Sequence, residues 1–110
     1  MSMPAKKLPH QVDKLLPFDD LKMAAELLKC AAHPYRLRII EILLQGEYTV
    51  DMIARMCKLS QPATSGHLRL MEARGLLVSE RSGRTVYYSV AEPKLKALLD
   101  CIGSDVKAKR

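Results

Sequence analysis

The stretch 49–75, TVDMIARMCKLSQPATSGHLRLMEARG, decides the fold of this chain. Thr49 is suited to cap a helix over 50–57, in which Val50, Ile53, Ala54 and Cys57 fall at i, i+3, i+4 and i+7, the spacing of one buried stripe. Lys58-Leu59-Ser60 leaves only a short turn. Ser60 then caps a second helix, Pro62 sits near its first position, where a missing N–H costs little, and Gly75 ends it. Two helices joined this tightly form a helix-turn-helix, whose second helix enters the DNA major groove with its N-terminal end leading. The faces of 61–74 meet that demand. Thr64, Leu68, Met71 and Gly75 share a side expected to face the core, while Pro62, Gly66, Arg69 and Ala73 lie opposite, with Gln61 and Ser65 alongside.

The outward side is small, polar and basic, which suits a duplex for specific reasons. Gln61 and Ser65 offer hydrogen bonds to base edges, and Gln can pair two ways with adenine. Arg69 can reach guanine or a phosphate. Gly66 inside a helix costs about 1 kcal/mol relative to alanine. Two compensations are open: room for the backbone to approach the groove, or tight packing against another helix. His67 on the flank has two readings as well, a phosphate contact or a half-buried ring satisfied within the protein.

Moving C-terminally, residues 76–90 (LLVSERSGRTVYYSV) alternate as strands do: Val78 and Glu80 against Ser79 and Arg81, then Val86, Tyr88 and Val90 against Tyr87 and Ser89. Ser82-Gly83 is the expected turn of a β-hairpin. Arg81, Arg84 and Thr85 near its tip are apt for phosphate or minor-groove contact. A helix-turn-helix followed by a hairpin is the winged-helix arrangement. Pro93 opens a last helix with the stripe Leu95, Leu98, Leu99 and Ile102, expected to end at Gly103.

Upstream, 34–45 (PYRLRIIEILLQ) is apolar nearly all round and belongs at the centre. The helix expected over 18–32 carries two apolar stripes, Leu21/Ala24/Ala25/Leu28 and Met23/Leu27/Cys30, and so predicts cover on two sides. The expected organisation is a flexible arm over 1–17, one mainly α (α+β) domain over 18–103 with five helices and a β-hairpin wing, and a basic tail over 104–110.

Composition narrows the function. The chain has 110 residues, 48% hydrophobic and 27% charged, which suits one globular domain. A net charge of +6 puts nucleic acid first among partners. No apolar run approaches the roughly 20 residues of a membrane span, so no membrane partner is expected. The first residues lack the apolar core of a secretory signal, and Cys30, Cys57 and Cys101 are too sparse for a disulfide scaffold. A reducing cytoplasm is the expected compartment. No Gly-rich phosphate loop, nucleophile elbow or paired carboxylates occur, so no catalytic residues and no enzyme activity are expected.

Residues 28–90 resemble the ArsR/SmtB family of small bacterial winged-helix repressors. The resemblance is carried by HPYRLRII (33–40), LSQPATSGHLRLMEARGLL (59–77) and GRTVYYSV (83–90), and covers roughly 20–102. It implies a homodimer that binds a palindromic double-stranded DNA operator and lets go when an inducer binds. It also implies that the first and last helices build the dimer interface, through Leu21, Leu27, Leu28, Leu95, Leu98, Leu99 and Ile102. From the faces of the second helix and the tip of the hairpin, the expected DNA-contacting set is Ser60, Gln61, Pro62, Ser65, Gly66, His67, Arg69, Arg81, Arg84 and Thr85.

Family members commonly sense metals, but this chain departs from both familiar sites. Thr49 and Asp51 stand where one site has cysteines, and no histidine follows His67 to join Asp100 and Asp105 in the other. No metal site and no cofactor is therefore expected. Some members that respond to sulfide or oxidants use two cysteines. Cys30 and Cys101 are the candidate pair here, although the usual first cysteine position holds Glu41. The inducer stays open: a thiol-reactive species, a non-thiol ligand or an unusual metal. A winged-helix module that binds protein rather than DNA is the alternative reading of the fold.

Overall fold

The computed structural model describes residues 12–108, with side chains through residue 103. Residues 12–17 have no regular secondary structure, and the rest of the expected arm, 1–11, lies outside the described residues. Helix α1 (Phe18–Ala31) starts after Pro17 with Asp19 and Asp20 in its first turn, where the helix dipole favours negative charge. The chain then breaks at Ala32 and His33. His33 is extended and caps α2 (Pro34–Leu43) by accepting a hydrogen bond from the Tyr35 amide at its Nδ1, 3.2 Å. Ile39, Ile40 and Leu43 of α2 are buried, as its all-round apolar sequence predicts. The helix ends two residues before the expected 45, with Leu44 as its cap and Gln45 in a turn.

A short strand outside the sequence pattern, β1 (Tyr48–Thr49), comes next. Thr49 then caps α3 (Val50–Cys57), its hydroxyl accepting from the Met52 amide at 3.2 Å. Ile53, Ala54 and Cys57 are buried and Val50 half-buried, so the expected stripe faces inward. Burial pushes the Cys57 thiol up, which keeps it protonated and inert in its packing role. Lys58 closes α3 in the left-handed conformation, φ +58°. Ser60 caps α4 (Gln61–Ala73), accepting from the Ala63 amide at 3.2 Å. Gly75, expected on the core face, is instead exposed at φ +83° beyond the helix, where it turns the chain toward the wing.

The wing is β2 (Leu77–Ser82) and β3 (Thr85–Val90), antiparallel with Ser82 opposite Thr85. The two-residue turn is therefore Gly83-Arg84, one residue later than Ser82-Gly83. Gly83 at φ +66° supplies the positive φ needed at the first central position of the tight turn. β1 pairs with β3 through Tyr48–Tyr88 and Thr49–Tyr87, making a three-stranded sheet of order β1-β3-β2. Two residues are too few to show a period of two, so β1 leaves no mark in the sequence pattern.

Helix α5 (Lys94–Ala108) runs through Gly103 rather than stopping there. Gly103 is not among the glycines with positive φ, so it lacks the geometry by which Gly75 leaves a helix. Residues 104–108 of the expected tail are thus helical, and 109–110 lie outside the described residues. The core gathers Ile39, Ile40, Ile53, Leu68, Met71, Leu76 and Leu95, each fully buried and each contributing about 1.5–3 kcal/mol by burial. Helix α1 gives little to it. Cys30 and Ala31 are buried, but Leu21, Met23 and Leu28 stand 45%, 72% and 49% exposed. On α5, Leu98 and Leu99 are partly buried and Ile102 is exposed. Leu16, Met23, Leu27, Leu28 and Leu98 line an open apolar groove of about 690 Å³ between α1 and the start of α5.

Candidate nucleic-acid interface

The inner side of α4 is fixed by burial. Thr64, Leu68 and Met71 are fully buried, and the Thr64 hydroxyl donates to the Ser60 carbonyl at 2.9 Å, so its one polar group is satisfied at the cap. The opposite side is open: Gln61, Pro62, Gly66, Arg69 and Ala73 are exposed and Ser65 is half-buried. Ser60, which caps the helix, is exposed at its leading end. Gly66 settles one of the two readings of its smallness. A Cβ placed there would meet nothing within 4 Å, so no neighbour among the described residues requires a glycine.

The wing is held to the C-terminal half of α4. Ser79 faces inward and its hydroxyl donates to Glu72 Oε2 at 2.6 Å, while Val78 faces out. Arg81, Arg84 and Thr85 are exposed at the tip. Among the described residues the ion pairs are Arg38–Glu41, Arg55–Asp51, Arg74–Glu26 and Lys96–Asp100. None involves Arg69, Arg81 or Arg84, so these guanidiniums are uncommitted toward carboxylates within the described chain.

His67 sits on the other flank, half-buried against the start of α2. Arg36 Nε donates to its Nδ1 at 3.1 Å, and Arg36 Nη1 donates to the Cys30 carbonyl at 3.0 Å. The His33 ring lies 4.9 Å from that of His67, tilted by 52°. Burial, with Arg36 and His33 adding to it, holds the His67 imidazole below the ordinary histidine range. Arg36 stands inside the quoted HPYRLRII motif, but its partner is 31 residues away, and nothing in the local pattern signals that contact.

The thiols do not meet as bonded pairs in the single chain. Cys30 is buried and free where α1 ends, and Cys101 is exposed and free on α5. At the positions matching the family's metal sites, the described side chains have partners within the chain. The Thr49 hydroxyl caps α3, Asp51 pairs with Arg55, and Asp100 pairs with Lys96 at 2.7 Å. Among the described residues no group of three or more His, Cys, Asp or Glu could hold an ion, and no helix is long and apolar enough to cross a membrane.

Residues 33–79, which span the helix-turn-helix and the first half of β2, match the family model described as "Bacterial regulatory protein, arsR family". The transcriptional repressor PagR of Bacillus anthracis is 36% identical over 80% of this chain and 89% of its own length. The chain belongs to the ArsR family. Another relative, the transcriptional activator HlyU of Vibrio cholerae, is 33% identical over 72% of this chain and 73% of its own. The crystal structure of NolR from Sinorhizobium fredii superposes with a TM-score of 0.73 at 30% identity, covering 84% of this chain and 95% of that one. As an ArsR-family chain, the protein is a winged helix-turn-helix DNA-binding regulator and not an enzyme.

Proposed function

We propose that the protein is a repressor that binds a palindromic operator as a homodimer and releases it when an effector acts. The observation that carries the DNA-reading role of α4 is Gly66: a helix-interior glycine with open space around it, on a face shared with Gln61, Pro62, Ser65 and Arg69. Its cost to the helix of about 1 kcal/mol is repaid nowhere among the described residues. A groove floor pressed against α4 is the partner that repays it. Ser60 and Gln61 lead the helix, and Arg81, Arg84 and Thr85 hold the flanking backbone from the wing. His67 joins them from the flank.

The dimer reading rests on apolar surface. Leu21, Leu27 and Leu28 of α1, with Leu98, Leu99 and Ile102 of α5, form the proposed interface, and the groove between these helices is what a second copy fills. Leu95, expected among them, is fully buried in the monomer and belongs to its core instead. Two copies related by a two-fold axis place their α4 helices about 34 Å apart, one turn of DNA. For the effector, the cysteines support a dithiol step: Cys30 and Cys101 give up two protons and two electrons to an external oxidant and join across the α1/α5 interface. The support is that each sits on one of the two interface helices. Cys30 is buried, so α1 must shift to expose it, and that shift is what would disturb the dimer.

The test is selection of duplexes from a random library at low salt, followed by sedimentation of the complex and a reporter driven by the enriched site. Enrichment of a palindrome bound by two protomers, with lower reporter output, is expected. Failure to enrich any duplex refutes DNA reading by α4. Higher output refutes repression alone.

A further inference from the structure

Arg36 joins three elements. It rises from the first turn of α2, donates through Nη1 to the Cys30 carbonyl where α1 ends, and donates through Nε to Nδ1 of His67 on α4. A guanidinium has only donors, so an imidazole nitrogen that accepts from it carries no proton. The proton of neutral His67 must then sit on Nε2. Among the described residues nothing pairs with that Nε2, and no unpaired side-chain nitrogen or oxygen is buried, so the atom opens to solvent. His33 is fixed in the same way, its Nδ1 taken by the Tyr35 amide.

The surroundings oppose a second proton. Arg36 and His33 face the His67 ring from the α2 side. Glu26 and Lys29 of α1 and Arg74 at the end of α4 line the small cleft beside Arg36, where Glu26 and Arg74 pair at 3.4 Å. A protonated His67 would turn an N–H toward the N–H of Arg36, donor against donor, and the bridge would open.

We propose that Arg36 is a positioning residue for DNA binding: it fixes the His67 proton on Nε2 and so presents a neutral N–H donor from the flank of α4 to a backbone phosphate. This deepens the DNA-reading role given to α4 above and rests on it. The bridge also ties the end of α1 to α4, so a shift of the dimer helix reaches the donor directly.

Three readouts separate this proposal from the reading beneath it. In the free protein at about pH 7.5, long-range proton–nitrogen spectra are expected to show His67 as the neutral Nε2–H tautomer, and Arg36→Met to give mixed tautomers. On the duplex enriched by the wild-type protein, Arg36→Met is expected to raise Kd about 3- to 10-fold, the value of one hydrogen bond. Wild-type affinity is expected to fall as pH drops from about 7.5 to 5.5, after correction with His67→Asn, which keeps an acceptor for Arg36 and an N–H donor but cannot titrate. A wild-type Nδ1–H tautomer, unchanged duplex binding by Arg36→Met, or affinity that rises as pH falls overturns the proposal. If the tautomer result holds and no duplex is enriched at all, the DNA role of α4 is what fails.

Discussion

Replacing Gly66 with alanine sets stability against function, and the two effects have opposite signs. Gly66 is exposed on α4, and an added Cβ meets nothing within 4 Å. No clash offsets the gain in helix propensity, so Gly66→Ala should stabilise the fold by about 1 kcal/mol. For a domain of this size that raises the thermal midpoint by about 4–8 °C. The comparison needs matched protomer concentrations, because the midpoint of a dimer depends on concentration. On DNA the same methyl has no room if α4 lies against the groove floor. An overpacked contact costs about 1–3 kcal/mol, which is about 5- to 150-fold in Kd for each half-site. Calorimetry gives the first number and fluorescence anisotropy on the selected duplex gives the second. A variant that is more stable and binds as tightly as wild type refutes the argument from Gly66. A variant that melts lower refutes the placement of Gly66 on a free surface.

Other substitutions test the remaining parts. Arg84→Ala should weaken binding to every duplex alike and reduce the salt slope by about 1 per protomer, whereas Gln61→Ala should cost about 1–3 kcal/mol at particular base pairs and leave random DNA untouched; equal losses on operator and random DNA remove Gln61 from base reading. Leu28→Asp places a charge on the half-exposed apolar face of α1 and should shift the sedimenting species to monomer while the circular dichroism of the fold stays intact; an unchanged dimer would move the interface elsewhere. Treatment with a mild oxidant should yield a Cys30–Cys101 peptide by mass spectrometry and loss of duplex binding, both abolished by Cys101→Ser; unlinked cysteines with unchanged affinity end the dithiol reading.

Much of the helix-turn-helix was legible because its signals are local. Thr49 and Ser60 stand where caps are needed, and the stripe Val50/Ile53/Ala54/Cys57 fixes which side of α3 is buried. The turn between them holds a surprise, since Lys58 rather than glycine takes the left-handed position. A left-handed non-glycine residue costs about 1–2 kcal/mol, and tertiary packing of α3 against α4 imposes it. Gly75 and Gly103 look alike in sequence, yet one ends a helix and the other lies inside one. Glycine permits either sign of φ: Gly75 takes φ +83° and leaves its helix, whereas Gly103 continues one.

What the chain determined by itself was therefore everything with a short period: helix order, the faces of α3 and α4, and the alternation of the wing. Tertiary structure decided whatever depends on residues far apart in the chain. It paired Tyr48 with Tyr88 to make a third strand, emptied the space around Gly66, and brought Arg36 to His67 across 31 positions. The physical reason is range. Backbone hydrogen bonding and side-chain periodicity act over three or four residues, whereas the tautomer of an imidazole and the room beside a glycine are set by whichever distant atoms the fold carries next to them.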